Sequence, residues 1–142
     1  MVMTAVAETV SLSASPDDVW SYIGDFGNVA DWHPAVVSCD MSEDGADRIR
    51  TLTLGDGSRI IERLDAPAGG ERSYTYSIVD AGPLPVQDYQ STIDVTGGGD
   101  VTTITWSSEF KAAGAPEADA QAAISGVYTG GFDALVEKFG SA

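Results

Sequence analysis

Between Ala5 and Ala14 the chain alternates, with Val6, Glu8, Val10 and Leu12 on one side and small or polar residues on the other. A two-residue period predicts a half-buried strand, ending near Ser13. The pattern then changes. Ser15 offers an N-cap hydroxyl, Pro16 suits the first helical position, Asp18 completes an S-x-x-D box, and Val19, Trp20 and Ile23 share a face. These residues predict a helix that Gly24 ends, with Trp20 as a core anchor. A second short helix through Val29, Ala30 and Trp32 stops before Pro34, because the residue preceding a proline disfavours helical backbone.

Period 2 returns at Val36 and predicts strands at 36–41, 47–54, 59–66, 72–80, 87–96 and 101–112. Gly55-Asp56-Gly57, Gly69-Gly70, Gly82-Pro83 and Gly97-Gly98-Gly99 mark the turns. Short consecutive connections predict an antiparallel meander, since parallel strands need long crossovers. The last segment, from Pro116 to Gly140, carries Ile124, Val127, Tyr128, Phe132, Leu135, Val136 and Phe139 at helical spacing and predicts one long amphipathic helix. Gly126, Gly130 and Gly131 inside it each cost about 1 kcal/mol relative to alanine. Close backbone approach or room for a ligand would account for them. The expected architecture is a single α+β domain spanning 1–142. Its curved seven-stranded antiparallel sheet wraps the C-terminal helix, with two short helices after the first strand, and encloses a cavity.

Composition narrows the function. With 22 acidic against 7 basic residues and a formal charge of −15, the surface repels phosphate backbones, so nucleic acid is not an expected partner. Asp outnumbers Glu and only Lys111 and Lys138 represent lysine; adaptation to a salty cytoplasm and a lysine-poor lineage both fit this bias. No apolar run approaches the ~20 residues that span a bilayer. The opening Met1-Val2-Met3-Thr4-Ala5 lacks the form of a secretory signal, so a cytoplasmic location is expected. One cysteine, Cys39, and one histidine, His33, leave few soft metal ligands. No metal and no cofactor are predicted, although a carboxylate-only site stays open.

The segments "SPDDVWSYIGDFGNVADWHPAV", "RIRTLTLGDGSRIIERLDA", "RSYTYSIVDAGPLPVQDYQSTIDV" and "TTITWSSEF" resemble the SRPBCC superfamily, which includes START and Bet v 1-like proteins, and specifically its polyketide cyclase/dehydrase-like branch. The resemblance covers nearly the whole chain. It implies the helix-grip fold and a hydrophobic pocket between sheet and helix. Its members include lipid and hormone binders, aromatic polyketide cyclases and proteins without an assigned ligand, so the fold follows more closely than the function.

Strand phase selects the candidate residues. Arg48, Arg50, Leu52 and Leu54 share one face and Ile60, Glu62 and Leu64 another, and a three-residue Gly55–Gly57 loop sets Arg50 opposite Glu62 inside an apolar surface. That pair reads either as structural or as an acid, base or polar anchor for a ligand. A Gly97–Asp100 turn is expected to pair Ile93 with Ile104 and Ser91 with Trp106. The inward set includes Tyr74, Tyr76, Tyr89, Ser91 and Trp106. His33, beside Trp32 and Pro34, has no carboxylate at fixed spacing and no nucleophile motif. A structural or surface role therefore competes with a general-base role.

The best reading is binding of a small hydrophobic ligand in an internal cavity, by Trp32, Arg50, Tyr76, Tyr89, Trp106, Tyr128 and Phe132, with Glu62 and His33 as catalytic candidates. One rival is a metal-free polyketide cyclase/dehydratase-type enzyme, and another is a protein-interaction module with a filled interior. A homodimer is left open.

Overall fold

The computed structural model describes residues 3–66 and 72–142. Seven strands follow in the order β1 (Thr4–Leu12), β2 (Val36–Asp44), β3 (Asp47–Leu54), β4 (Arg59–Ala66), β5 (Ser73–Asp80), β6 (Val86–Gly98) and β7 (Val101–Ala112). Every pairing is antiparallel, and the spatial order β1-β7-β6-β5-β4-β3-β2 joins the first strand to the last. Helix α1 (Pro16–Ile23), a 3₁₀ turn (Phe26–Asn28) and helix α2 (Val29–Trp32) lie between β1 and β2, and helix α3 (Glu117–Phe139) follows β7. This is the helix-grip fold. The expected Gly69-Gly70 turn lies outside the described residues. Among the described residues no helix is long and apolar enough to cross a membrane.

Local chemistry accounts for the element ends. Ser15 Oγ accepts a hydrogen bond from Asp18 N at 3.2 Å, as its place before Pro16 requires. In the following turn, Asp25 Oδ1 accepts from Gly27 N at 2.8 Å, which starts the 3₁₀ turn that precedes α2. Trp20 is half-buried rather than a core anchor, and its ring lies 6.2 Å from Tyr74. The core holds Leu12, Ile23, Ile93, Ile104, Phe110, Ile124 and Leu135, all nearly or wholly inaccessible. Burying each such side chain contributes on the order of 1.5–3 kcal/mol.

The expected Arg50–Glu62 register is observed between β3 and β4. Between β6 and β7 the register differs: Ile93 pairs with Trp106 and Ser91 with Ser108. The strands continue through Gly98 and Val101, and Gly99 opens a two-residue turn with φ 60°, a value that favours glycine. The slip is two residues, so every side chain stays on its expected face.

A second irregularity shapes the interior. β6 carries a bulge between Gln87 and Gln90, where Asp88 has φ 53° and lies 3.4 Å from Lys111 Nζ. The extra residue shifts the alternation so that Val86 and Tyr89 both face inward.

On α3, Ala120, Ile124, Tyr128, Gly131, Phe132 and Leu135 are buried. Only one of the three interior glycines has the expected packing reason. A Cβ on Gly131 would lie 3.0 Å from His33 Cδ2 and from Trp32 Cζ3, whereas Cβ atoms on Gly126 and Gly130 would meet nothing. No close packing requires glycine at those two positions.

Candidate functional site

Curvature of the sheet over α3 leaves a partly open, largely apolar cavity of about 100 Å³. Its aliphatic walls include Val36, Leu52, Leu54, Ile60, Ile124 and Val127; its polar or aromatic members are His33, Arg50, Glu62, Tyr76, Tyr89 and Trp106. A larger groove of about 510 Å³ runs past Arg63, Ser77, Asp88 and Gln90, but it is open to solvent. The interior cavity is the better candidate because its lining is mostly apolar and it gathers buried titratable groups.

Arg50 and Glu62 stand on its wall at 2% and 5% exposure. Both Nε and Nη2 of Arg50 reach Glu62 Oε1 at 2.7 Å. Nη1 donates to Phe26 O at 2.9 Å, and the guanidinium carbon lies 4.0 Å from the Phe26 ring centre and 4.9 Å from that of Tyr76. The guanidinium therefore joins the 3₁₀ turn to two strands. Burial opposes its charge, but Glu62 and the neighbouring tyrosines outweigh burial and hold Arg50 protonated beyond its ordinary value. Burial pushes the Glu62 carboxyl above the usual carboxylate value, and Arg50 offsets this only in part. Since both contacts fall on Oε1, Oε2 has no hydrogen-bond partner among the described residues.

His33 is buried, at 5% exposure, so the surface role is set aside. The Val127 carbonyl 2.7 Å from Nε2 can only accept, which places the proton on Nε2; Nδ1 then accepts from Ala35 N at 3.2 Å. Both nitrogens are occupied in the neutral ring. Taking up a proton at Nδ1 would break the Ala35 contact, so the geometry suits a strap between the α2–β2 connection and α3 better than a general base.

Burial lowers the His33 value from its ordinary one, Val127 partly offsets this and Arg50 adds to the lowering. The neutral ring thus contributes stability that is present above about pH 6.5 and lost as pH falls through the lowered native value. Urea denaturation of wild type and His33→Gln should show a stability difference that shrinks between about pH 7.5 and about pH 5. A difference independent of pH would show that His33 is not held neutral.

Three sequence-derived candidates are not among the cavity-lining residues. Trp32, Tyr128 and Phe132 are buried behind the wall, because Trp106 fills the space before them. Its ring centre lies 4.3 Å from Tyr128 in a stacked arrangement, 5.6 Å from Trp32 and 6.0 Å from Phe132. The aliphatic lining residues were missed, since strand phase places them inward without telling core from cavity. Among the described residues no group of three or more His, Cys, Asp or Glu side chains could hold a metal ion.

Residues 3–140 match the family model described as polyketide cyclase / dehydrase and lipid transport. The chain belongs to that family. The protein XoxI from Bacillus cereus is 35% identical to this cyclase/dehydrase-family chain, with a TM-score of 0.87 over 98% of this chain and 96% of that one. Zhui aromatase/cyclase from a Streptomyces species shares the fold at 19% identity and a TM-score of 0.77, covering 96% of this chain and 93% of that one. Norcoclaurine synthase from Thalictrum flavum does so at 22% identity and a TM-score of 0.72, covering 96% and 86%. No curated protein sequence matches this cyclase/dehydrase-family chain.

Proposed function

We propose that this protein binds a small, largely apolar molecule in the cavity between the sheet and α3. The observation that carries this reading is the Arg50–Glu62 pair on the wall of a largely apolar cavity, with Glu62 Oε2 unpartnered among the described residues. Apolar walls with sparse polar groups suit a ligand that is oily but oriented. The volume sets the scale. About 100 Å³ falls below the ~300–1,000 Å³ of drug-sized pockets. It is nearer the ~150 Å³ engineered cavity that takes benzene, so the occupant is about the size of one six-membered ring.

The test is a titration with methylenecyclohexane, followed by amide chemical shifts of Leu54, Ile60, Ile124 and Val127. Saturable shifts are expected in the wild type and should be lost in a folded Leu54→Phe variant that fills the space. The absence of saturable shifts in the wild type would overturn the reading.

Glu62 Oε2 also supports a second reading, proton transfer on an enolisable carbonyl, in keeping with a family description that includes cyclases and dehydrases. A carboxylate held above its usual value by burial is better matched to proton removal near neutral pH. Cyclohexanone should then exchange its α-protons with deuterium oxide faster in the presence of wild type than of Glu62→Gln. Equal rates would leave binding as the role.

A further inference from the structure

Buried hydroxyls in the interior form one hydrogen-bond chain, and its far end fixes the direction of the protons within it. Ser91 Oγ donates to the Ser107 carbonyl at 2.8 Å, because a carbonyl only accepts. With its single proton committed, Ser91 accepts from Trp106 Nε1 at 3.0 Å and from the Tyr128 hydroxyl at 3.1 Å. Tyr128 has thereby used its proton and accepts from Tyr89. Tyr89 has no further proton to offer. The Tyr76 oxygen accepts the other branch of the Trp106 N–H at 3.2 Å and lies 3.5 Å from the Tyr89 oxygen, at the outer limit of a hydrogen bond.

Tyr76 and Tyr89 both line the cavity, yet this direction makes them unlike. The Tyr89 hydroxyl has only lone pairs left to offer, its proton being turned toward Tyr128. The Tyr76 hydroxyl keeps an O–H whose present acceptor is distant. Burial holds both phenols well above their ordinary value, so each keeps its proton at neutral pH.

We infer that Tyr76 is the specificity-determining donor of the cavity, and that the ligand carries a neutral acceptor, a ketone or aldehyde oxygen, which the Tyr76 O–H binds. The inference rests on the cavity being a ligand site. Neutrality follows from the charge balance, because Arg50 beside Tyr76 is already matched by Glu62. An anionic ligand would add an uncompensated charge to a mostly apolar space.

The experiment compares cyclohexanone with its isostere methylenecyclohexane in wild type, Tyr76→Phe and Tyr89→Phe. Hydration disfavours ketone transfer in all three proteins, so the readout is the change between proteins. Tyr76→Phe should weaken cyclohexanone about tenfold, the size of one hydrogen bond, while changing the hydrocarbon by less than about twofold. Infrared spectra should show the carbonyl stretch of bound ketone shifted to lower frequency in wild type and Tyr89→Phe, with the shift lost in Tyr76→Phe.

Hydrocarbon affinity also reports that each variant is folded with its cavity intact. Loss of the shift in Tyr89→Phe, or its survival in Tyr76→Phe, would overturn the inference. So would equal weakening of both ligands by Tyr76→Phe. Failure of the hydrocarbon and the ketone to bind the wild type would instead remove the cavity reading beneath it.

Discussion

Arg50→Met is expected to destabilise the fold by roughly 3–5 kcal/mol, and more than the double variant Arg50→Met/Glu62→Leu. Removing the guanidinium leaves the Glu62 carboxylate buried with no counter-charge and frees the Phe26 carbonyl, whereas removing both charges leaves an apolar wall. The deficit should also depend on pH. With Arg50 gone, burial acts on Glu62 unopposed, so the native state holds its proton more tightly than the unfolded chain does. Stability is then retained in acid and lost as pH rises through the raised native value. Urea denaturation at about pH 7 and about pH 5 measures both effects. A single variant no weaker than the double, or a deficit that grows in acid, would show that the pair is not the electrostatic unit described.

Trp106→Ala is expected to cost about 3–5 kcal/mol and to enlarge the cavity. This indole both lines the void and separates it from Trp32, Tyr128 and Phe132. Its loss removes the stacking on Tyr128 and the Nε1 bonds to Ser91 and Tyr76. The vacated volume has the shape of an indole, so added indole should raise the thermal midpoint of the variant and leave the wild type unchanged. Collapse of the surroundings would lower the cost and abolish the rescue, since the penalty follows the volume that stays empty. A variant as stable as the wild type would show that Trp106 does not hold the wall.

The parts of this arrangement that could be read from the sequence are those governed by short-range rules. Strand alternation and a turn of definite length together fix which residues face each other, so Arg50 and Glu62 could be paired from their positions alone. The same reasoning slipped by two residues between β6 and β7. There Gly97, Gly98, Gly99 and Asp100 allow a turn at more than one place, and alternation does not distinguish registers of equal parity.

His33 was ambiguous for a different reason. It follows a single helical turn, which carries no useful period, and its burial depends on Gly131, distant in sequence, leaving room for the ring. Tyr128 and Phe132 were correctly placed on the inward face of α3. Whether an inward side chain meets empty space is decided by the filling of the interior, here by Trp106, and that is a property of the assembled sheet.

The sheet order carries a consequence for biosynthesis. β1 pairs along its whole length with β7, Thr4 opposite Phe110 and Leu12 opposite Thr102, so β1 waits for a partner roughly a hundred residues later. The meander from β2 to β6 can zip up hairpin by hairpin as it leaves the ribosome, each closure spanning a short loop. Throughout that interval Val6 and Leu12 have neither sheet partner nor helix to cover them. Seating β1 is therefore a late, long-range event, and α3 reaches its full contacts only afterwards, when the Ser13 amide can meet the Gly140 carbonyl and tie the end of β1 to the end of α3.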